Sequence, residues 1–430
     1  ERILSGVLEA HKYFCNSMRV IYNIVILQIK SLLFILKFFN SKIRSFVEER
    51  KKVLEILEKT ISKTDNYIWI HVASLGEYEQ GLPIFKEIKS LYKNHKIVLS
   101  FFSSSGYQVR KNNPIGDITV YLPLDTSKNS RKFVSLINPK MVFFVKYEFW
   151  PNYLQNLKKN SIPTFLLAGL FRENHWFFRW YGSGFLNLLK SSITHFFVQN
   201  KDSIDLLINN NITNCTLMGD SRFDRVNTLL DQNNNIENIK EFIGNRICFV
   251  GGSTWKEDES LMIDYINKNN NNLVWIIAPH QINLKHITDF QQKIKRKSIL
   301  HSNLNQNNIT TTKVLIIDSI GILTKLYSYS DISYVGGGMG NSGLHNILEP
   351  AIFKNPILIG KNYINFPEAR DLISKNGAIS VKDSKEFENI LNELIENKRK
   401  RSIMGGNNFD YIKSNLGATK NVISYLKERK

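Results

Sequence analysis

Two glutamates, a run of glycines and a few small hydroxyl residues are the parts of this 430-residue sequence best suited to chemistry. Glu77 closes the segment His71-Val72-Ala73-Ser74-Leu75-Gly76-Glu77, so a strand hands it to a loop where a helix begins. In parallel sheets, active sites lie at the carboxyl ends of strands, and a carboxylate there can take a proton from a hydroxyl. An acid is equally what a helix amino terminus favours, so position alone leaves both readings open. Glu148, in Val145-Lys146-Tyr147-Glu148-Phe149-Trp150-Pro151, leaves a second strand in the same way. It suits either a substrate contact or a structural ion pair, while Trp150 reads as packing. Arg172 suits an anionic sugar lipid. The aromatics that follow it, Trp176, Phe177, Phe178 and Trp180, suit a membrane surface or internal packing.

A second group of residues has the character of a phosphate site. The stretch Asp331–Glu349 reads as strand, glycine loop and helix start, with Gly336, Gly337, Gly338, Gly340 and Gly343 in the loop. Free backbone N–H groups and the positive end of a helix dipole attract phosphate there. His345 and Asn346 stand at the mouth of the helix. Glu349 lies one turn in, where it could accept hydrogen bonds from ribose hydroxyls. The spacing is neither that of a Walker loop nor GxGxxG with an acid at dinucleotide-binding distance. Ser253 and Thr254 follow the strand run Ile-Cys-Phe-Val, as phosphate ligands or as an ordinary helix cap. His280, after Ala278-Pro279, borders the same region. Glu257, Asp258 and Glu259 fall in an early helix turn, where the helix dipole accounts for them. No zinc spacing and no Ser-His-Asp arrangement stand out, so chemistry without metal or cofactor is expected.

Alternating strands and helices must position these residues. Strands are expected at 67–73, 96–102, 119–122, 141–145, 164–168, 196–199 and 215–218. A second set is expected at 247–250, 273–278, 314–317, 332–335 and 356–359. Continuous apolar runs between helices indicate doubly wound parallel sheets. The Asn-rich segment 231–238 reads as a linker between two similar α/β halves with a cleft between them. The boundaries expected are 46–230 and 240–430, the second ending in a charged helical segment that covers an edge.

Lys+Arg 57 against Asp+Glu 38 gives a formal charge of +19, which favours anionic partners. No RNA-binding motif accompanies it, so nucleic acid is not expected. Cys15, Cys215 and Cys248 show no pairing or metal spacing. Residues 18–45 open with the most apolar stretch of the chain. Asn23, Lys30 and Lys37 recur there every seven residues and form one narrow polar stripe on a helix. A helix lying in the membrane interface fits best, with its lysines toward headgroups and basic Arg44, Arg50, Lys51 and Lys52 nearby; a spanning helix and a soluble packing helix are the alternatives. Residues 1–17 precede Met18, a more convincing start, and receive no role.

Together these motifs resemble the 3-deoxy-D-manno-octulosonate (Kdo) transferases of lipopolysaccharide synthesis. The resemblance rests on Gly76-Glu77, on Glu148 with Trp150-Pro151-Asn152, and on Gly219 with Phe223-Asp224. It continues in Gly252-Ser253-Thr254, in Gly343 with His345, Asn346, Leu348 and Glu349, and in Asn365-Phe366. It implies a GT-B fold of two Rossmann-like domains facing a central cleft, with an N-terminal membrane-associated helix. It implies transfer of Kdo from CMP-Kdo to a lipid A precursor (lipid IVA) with inversion, at the cytoplasmic face of the inner membrane against anionic lipid. Glu77 would be the base, supported by Glu148 and Arg172 on the acceptor side. Ser253, Thr254, His280, Gly336, Gly337, Gly338, Gly343, His345, Asn346 and Glu349 would hold the donor. The chain departs from the family where Ala278-Pro279-His280 lacks an arginine and where Lys146 replaces a first glutamate. Other readings are a lipid A disaccharide synthase, a nucleotide-sugar epimerase, or a basic membrane- or nucleic-acid-binding protein without activity.

Overall fold

The apolar runs pair edge to edge as parallel strands, because strands buried on both faces need no polar alternation. The structure is a computed structural model that describes residues 2–269, 271–305, 309 and 311–429, with side chains from residue 19 onward. Residue 1, the side chains of 2–18 and Cys15 lie outside that description. The first sheet comprises β1 (Asn66–Val72), β2 (His95–Phe101), β3 (Ile118–Tyr121), β4 (Met141–Val145), β5 (Thr164–Gly169), β6 (His195–Val198) and β7 (Cys215–Leu217). Its order is β3-β2-β1-β4-β5-β6-β7. Alternate residues of β1 serve opposite faces. Tyr67 and Trp69 enter one core, and Ile68, Ile70 and Val72 enter the other.

The second sheet comprises β8 (Ile247–Thr254), β9 (Leu273–Pro279), β10 (Ser298–Leu300), β11 (Val314–Ile316), β12 (Ile332–Val335), β13 (Ile357–Gly360) and β14 (Ala378–Val381). Its order is β10-β11-β9-β8-β12-β13-β14, again with every pair parallel. The two edge strands β10 and β14 were not expected. Strand β8 runs on through Gly252-Ser253-Thr254, which the sequence placed in a turn. Its register shifts between Gly252 and Thr254, and Ser253 takes φ +53°.

The chain divides into two compact units, residues 1–224 with 417–430, and residues 225–416. The terminal helix Ala418–Lys427 was expected to close the second unit and belongs to the first. The reason is its apolar stripe. Ala418, Val422, Ile423 and Leu426 are buried in the core beneath β1, β4 and β5. Each of the three larger side chains contributes on the order of 1.5–3 kcal/mol on burial. Asp224 caps this helix by accepting from Gly417 N (2.9 Å) and Thr419 N (2.6 Å), which gives the Phe223-Asp224 motif a structural duty.

The first helix, α1, spans Arg2–Leu36 and is followed by α2, Ser41–Lys51. Among the described residues, Arg19–Leu36 is the one segment long and apolar enough to cross a membrane by length and composition. Two of its three stripe residues, Asn23 and Lys37, face the protein, contrary to expectation. The Tyr22 hydroxyl donates to Asp125 Oδ2 (2.9 Å), and Asn23 Oδ1 accepts from Asn152 Nδ2 (2.9 Å). Ile26 is buried, and Lys37 pairs with Glu48 at 2.8 Å. Lys30, between them in the stripe, stays exposed, while Asn152 and Glu48 hold Asn23 and Lys37 toward the first unit. Ile21, Ile24, Leu32, Ile35 and Phe38 are left exposed.

Candidate active site

In each unit the candidate residues gather near the carboxyl ends of the strands. In the first unit, β1 places His71 in a fully buried position beside β2 and β4. A buried imidazole must find partners. His71 Nδ1 lies 2.8 Å from Ser100 Oγ, and its Nε2 lies 3.3 Å from Glu148 Oε2. Trp69 Nε1 donates to Ser100 Oγ (2.7 Å), and Trp150 Nε1 donates to Glu148 Oε2 (3.1 Å). His71 Nδ1 also lies 3.2 Å from Ser100 O, and Trp150 Nε1 reaches His71 Nε2 at 3.3 Å as well as Glu148. Glu148 Oε2 thus stands between the Trp150 indole N–H and the buried His71 ring, which hold it in place. Trp150, read from the sequence as packing, is one of the two groups holding it.

Glu77 sits at the third position of the helix Leu75–Leu91. Its Oε2 accepts from Ala73 N (2.5 Å) and Ser74 N (3.2 Å), so it caps the helix from within. Its Oε1 takes no hydrogen bond from the described residues. The helix-terminus reading is thus realised in one oxygen, and the other remains for chemistry. Burial raises the Glu77 carboxyl above the ordinary glutamate range, and the neighbouring Glu148 charge raises it further. The Ala73 N–H, Lys146 and His71 pull the other way. Lys146 stands at the end of β4 in the left-handed region, φ +60°. Arg172 is exposed beyond β5, and its charge acts on the Tyr147 phenol and the His175 imidazole.

In the second unit the glycine loop after β12 is organised by Asp258, a residue the sequence reading assigned to the helix dipole. Asp258 is completely buried. It accepts from Tyr334 Oη (2.7 Å), Gly337 N (2.8 Å) and Trp255 N (2.9 Å). Gly337 has φ +91°, and a Cβ there would lie 2.1 Å from Gly343 O, so no other residue fits. Gly336 N is also committed, donating to Gly252 O (2.9 Å). Among the described residues, the N–H groups of Gly338, Gly340 and Gly343 donate to no protein acceptor. The expected phosphate cradle therefore narrows to those three. Thr254 drops out as well. It is buried, and its hydroxyl donates to Glu259 Oε1 (3.1 Å), which also binds His286 Nε2 (3.0 Å). Ser253 is half-buried, with its hydroxyl unclaimed among the described residues.

His280 and His345 come together with Trp255. The His280 ring stacks on the Trp255 ring at 4.6 Å and lies 4.5 Å from the His345 ring. Trp255 Nε1 donates to His345 Nε2 (3.1 Å). An indole N–H only donates, so His345 Nε2 carries no proton and the ring is neutral with its hydrogen on Nδ1. Burial and the His280 charge both hold the His345 imidazole below its ordinary range. Replacing His280 with Gln should therefore move the His345 titration upward, as NMR of the imidazole signals would show. An unmoved titration would mean that the two rings do not sense each other. Asn346 Nδ2 donates to Glu349 Oε1 (3.0 Å), and its Oδ1 accepts from Leu348 N (3.2 Å). The helix that carries Glu349 in its first turn is short, Leu348–Ile352, so the glycine-loop amides rather than its dipole supply the positive potential.

Residues 46–225 match the family described as 3-deoxy-D-manno-octulosonic-acid transferase (kdotransferase). A bifunctional glycosyltransferase/methyltransferase of Fusobacterium nucleatum is 29% identical over 84% of this chain, which spans 57% of that protein's length. A 3-deoxy-D-manno-octulosonic acid transferase of Haemophilus influenzae is 28% identical, over 84% of this chain and 86% of its own. The one from Aquifex aeolicus is 25% identical, over 80% and 90%. Among solved structures, a putative UDP-N-acetylglucosamine 2-epimerase of Listeria monocytogenes aligns with TM-score 0.58 at 11% identity, over 85% of this chain and 97% of its own. MurG of Acinetobacter baumannii aligns with TM-score 0.52 at 9% identity, over 85% and 99%. These two share the fold, a GT-B pair of Rossmann-like units each built on a parallel sheet.

Proposed function

We propose, from the similarity of residues 46–225 to the Kdo-transferase family and of most of the chain to a Kdo transferase of Haemophilus influenzae, that this protein transfers Kdo from CMP-Kdo to a hydroxyl of a lipid A precursor, lipid IVA, at the cytoplasmic face of the inner membrane. The observation that carries this reading lies inside the matched region. Glu77 has one oxygen fixed by backbone amides and the other free, and its environment favours the protonated form more than water does. A base with a raised pKa takes a proton more readily near neutral pH.

The acceptor hydroxyl oxygen attacks the anomeric carbon of Kdo as its proton passes to Glu77 Oε1. The bond from that carbon to the phosphate oxygen breaks, and CMP leaves with the electron pair. One displacement inverts the anomeric centre. Glu148 and Arg172 serve the acceptor side. Glu148, locked by His71 and Trp150, positions the base through its charge rather than by moving protons. On the donor side the free amides of Gly338, Gly340 and Gly343 and the Ser253 hydroxyl take the phosphate. His280 and His345 face the donor anion where many family members have an arginine, and Glu349 holds the ribose.

Two experiments bear on this reading. In a titration, CMP should bind and UDP should not compete. Tight UDP binding without CMP binding would favour the epimerase or disaccharide-synthase alternatives that share the fold. In Glu148→Gln, a like charge beside Glu77 is gone, so the Glu77 pKa falls. The acidic limb of the kcat/KM profile should then shift to lower pH. A limb that stays in place would contradict the coupling of the two carboxylates.

A further inference from the structure

Strand β8 outruns its apolar residues and ends in a strained turn. Ser253 has φ +53°, which a residue with a side chain adopts only where its surroundings hold it. The main chain on both sides is held. Gly252 O accepts from Gly336 N (2.9 Å), and Thr254 O accepts from His280 N (2.9 Å). The loop after β12 closes on the same turn, since a Cβ at Gly336 would lie 2.3 Å from Ser253 O. The Ser253 hydroxyl makes no hydrogen bond among the described residues, and its side chain is half-buried. The turn thus leaves one hydroxyl unclaimed at the carboxyl end of the strand.

The next residue, Thr254, opens a buried polar network. Thr254 is 1% exposed, Glu259 3% and His286 9%. Glu259 Oε1 accepts from Thr254 Oγ1 (3.1 Å) and lies 3.0 Å from His286 Nε2. Glu259 sits in the first turn of the helix Lys256–Lys268, next in sequence to Asp258, which ties down the glycine loop. His286 sits at the third position of the helix Leu284–Lys293. That helix is capped by Asn283, which accepts from His286 N (2.9 Å), and its Ile287 and Phe290 enter the core. One carboxylate oxygen therefore joins the end of β8 to two helices. A carboxylate and an imidazole buried together add little stability over apolar packing of the same volume, so stability alone does not account for them.

We propose that Thr254, Glu259 and His286 are positioning residues for the phosphate of the donor nucleotide. Glu259 fixes the Thr254 hydroxyl, and His286 fixes Glu259. Thr254 then keeps Ser253 in its left-handed conformation with the hydroxyl free, and its carbonyl oxygen seats the main chain of His280. None of the three touches the donor. They act through Ser253 and His280, so the part of the ligand they serve is the phosphate rather than the base or the ribose. This rests on the reading that Ser253 and His280 face the donor anion.

The test compares CMP with cytidine, which lacks the phosphate, by ligand-observed NMR titration of the full chain. Thr254→Val keeps the branched shape and removes the hydroxyl. It should weaken CMP binding roughly tenfold and leave cytidine binding unchanged. Thr254→Ser, which restores the hydroxyl, should bind CMP like the unsubstituted protein. His286→Leu enters the network from its other end and should give the same phosphate-selective loss, whether or not Thr254→Val folds. Urea unfolding of each variant separates folding from binding. Equal loss of CMP and cytidine would make the network a structural tie alone and overturn the proposal. Unchanged CMP affinity in folded Thr254→Val or His286→Leu would overturn it as well. An unsubstituted protein that binds CMP no more tightly than cytidine would instead remove the phosphate site, and with it the donor reading on which the proposal rests.

Discussion

Glu77→Gln is expected to lower turnover by about 10²- to 10⁴-fold while the fold and CMP binding stay intact. The expectation follows from how the side chain is held. A glutamine can still offer its carbonyl oxygen to Ala73 N and Ser74 N, the two donors that fix Glu77 Oε2. The amide nitrogen then stands where Oε1 was, with the same shape and no basicity. The cap is kept and the proton acceptor is lost, which separates the two readings that the sequence left open. In the unsubstituted protein, kcat/KM should fall as the pH drops through the Glu77 pKa. The sign is fixed, because burial and Glu148 raise that pKa and the base works only when ionised. The acidic limb should therefore lie above the ordinary glutamate range. Steady-state rates between pH 4 and 9, with CMP titration alongside, check both points. Turnover retained in Glu77→Gln would assign the residue to the helix cap alone.

Asp258→Ala should destabilise the second unit by about 3 kcal/mol or more and weaken CMP binding at least roughly tenfold. The carboxylate is completely buried and is the common acceptor for Tyr334 Oη, Gly337 N and Trp255 N. Without it three donors remain inside with no acceptor, and the glycine loop loses its tie to the helix Lys256–Lys268. Trp255 loses its own backbone tie at the same time, and with it the stack that seats His280 and His345. Asp258→Asn should be milder, since the amide keeps one acceptor oxygen but turns an N–H group toward a donor. Urea unfolding and a CMP titration on both variants measure the two effects. Normal CMP affinity in a folded Asp258→Ala protein would detach the glycine loop from the donor.

The contrast between Glu77 and Asp258 shows what the sequence made legible. Both are acids in the first turn of a helix that follows a strand, and local rules describe them identically. Glu77 was singled out because it directly leaves an apolar run. Apart from Trp255 N, the partners of Asp258 lie in β12 and the following loop, and no local pattern joins positions so far apart in the chain. Long apolar runs marked the central strands to within a residue or two, except β8, which continues four residues past its apolar run through Gly251 to Thr254. The edge strands β10 (Ser298–Leu300) and β14 (Ala378–Val381) have neither a continuous apolar run nor alternation, so only pairing with a neighbour defines them. His71 carried a signal that went unused, since an imidazole inside Tyr-Ile-Trp-Ile-His-Val must be buried and must therefore have partners. The seven-residue polar stripe on α1 was read correctly as a stripe. Its direction was not legible, because Asp125 and Asn152, which draw it inward, are about a hundred residues away in the chain.

Mass spectrometry of a lipid A precursor incubated with CMP-Kdo and the full chain should show an acceptor mass increased by Kdo, release of CMP, and no product with Glu77→Gln. An unchanged acceptor in the presence of protein that binds CMP would contradict the proposed transfer.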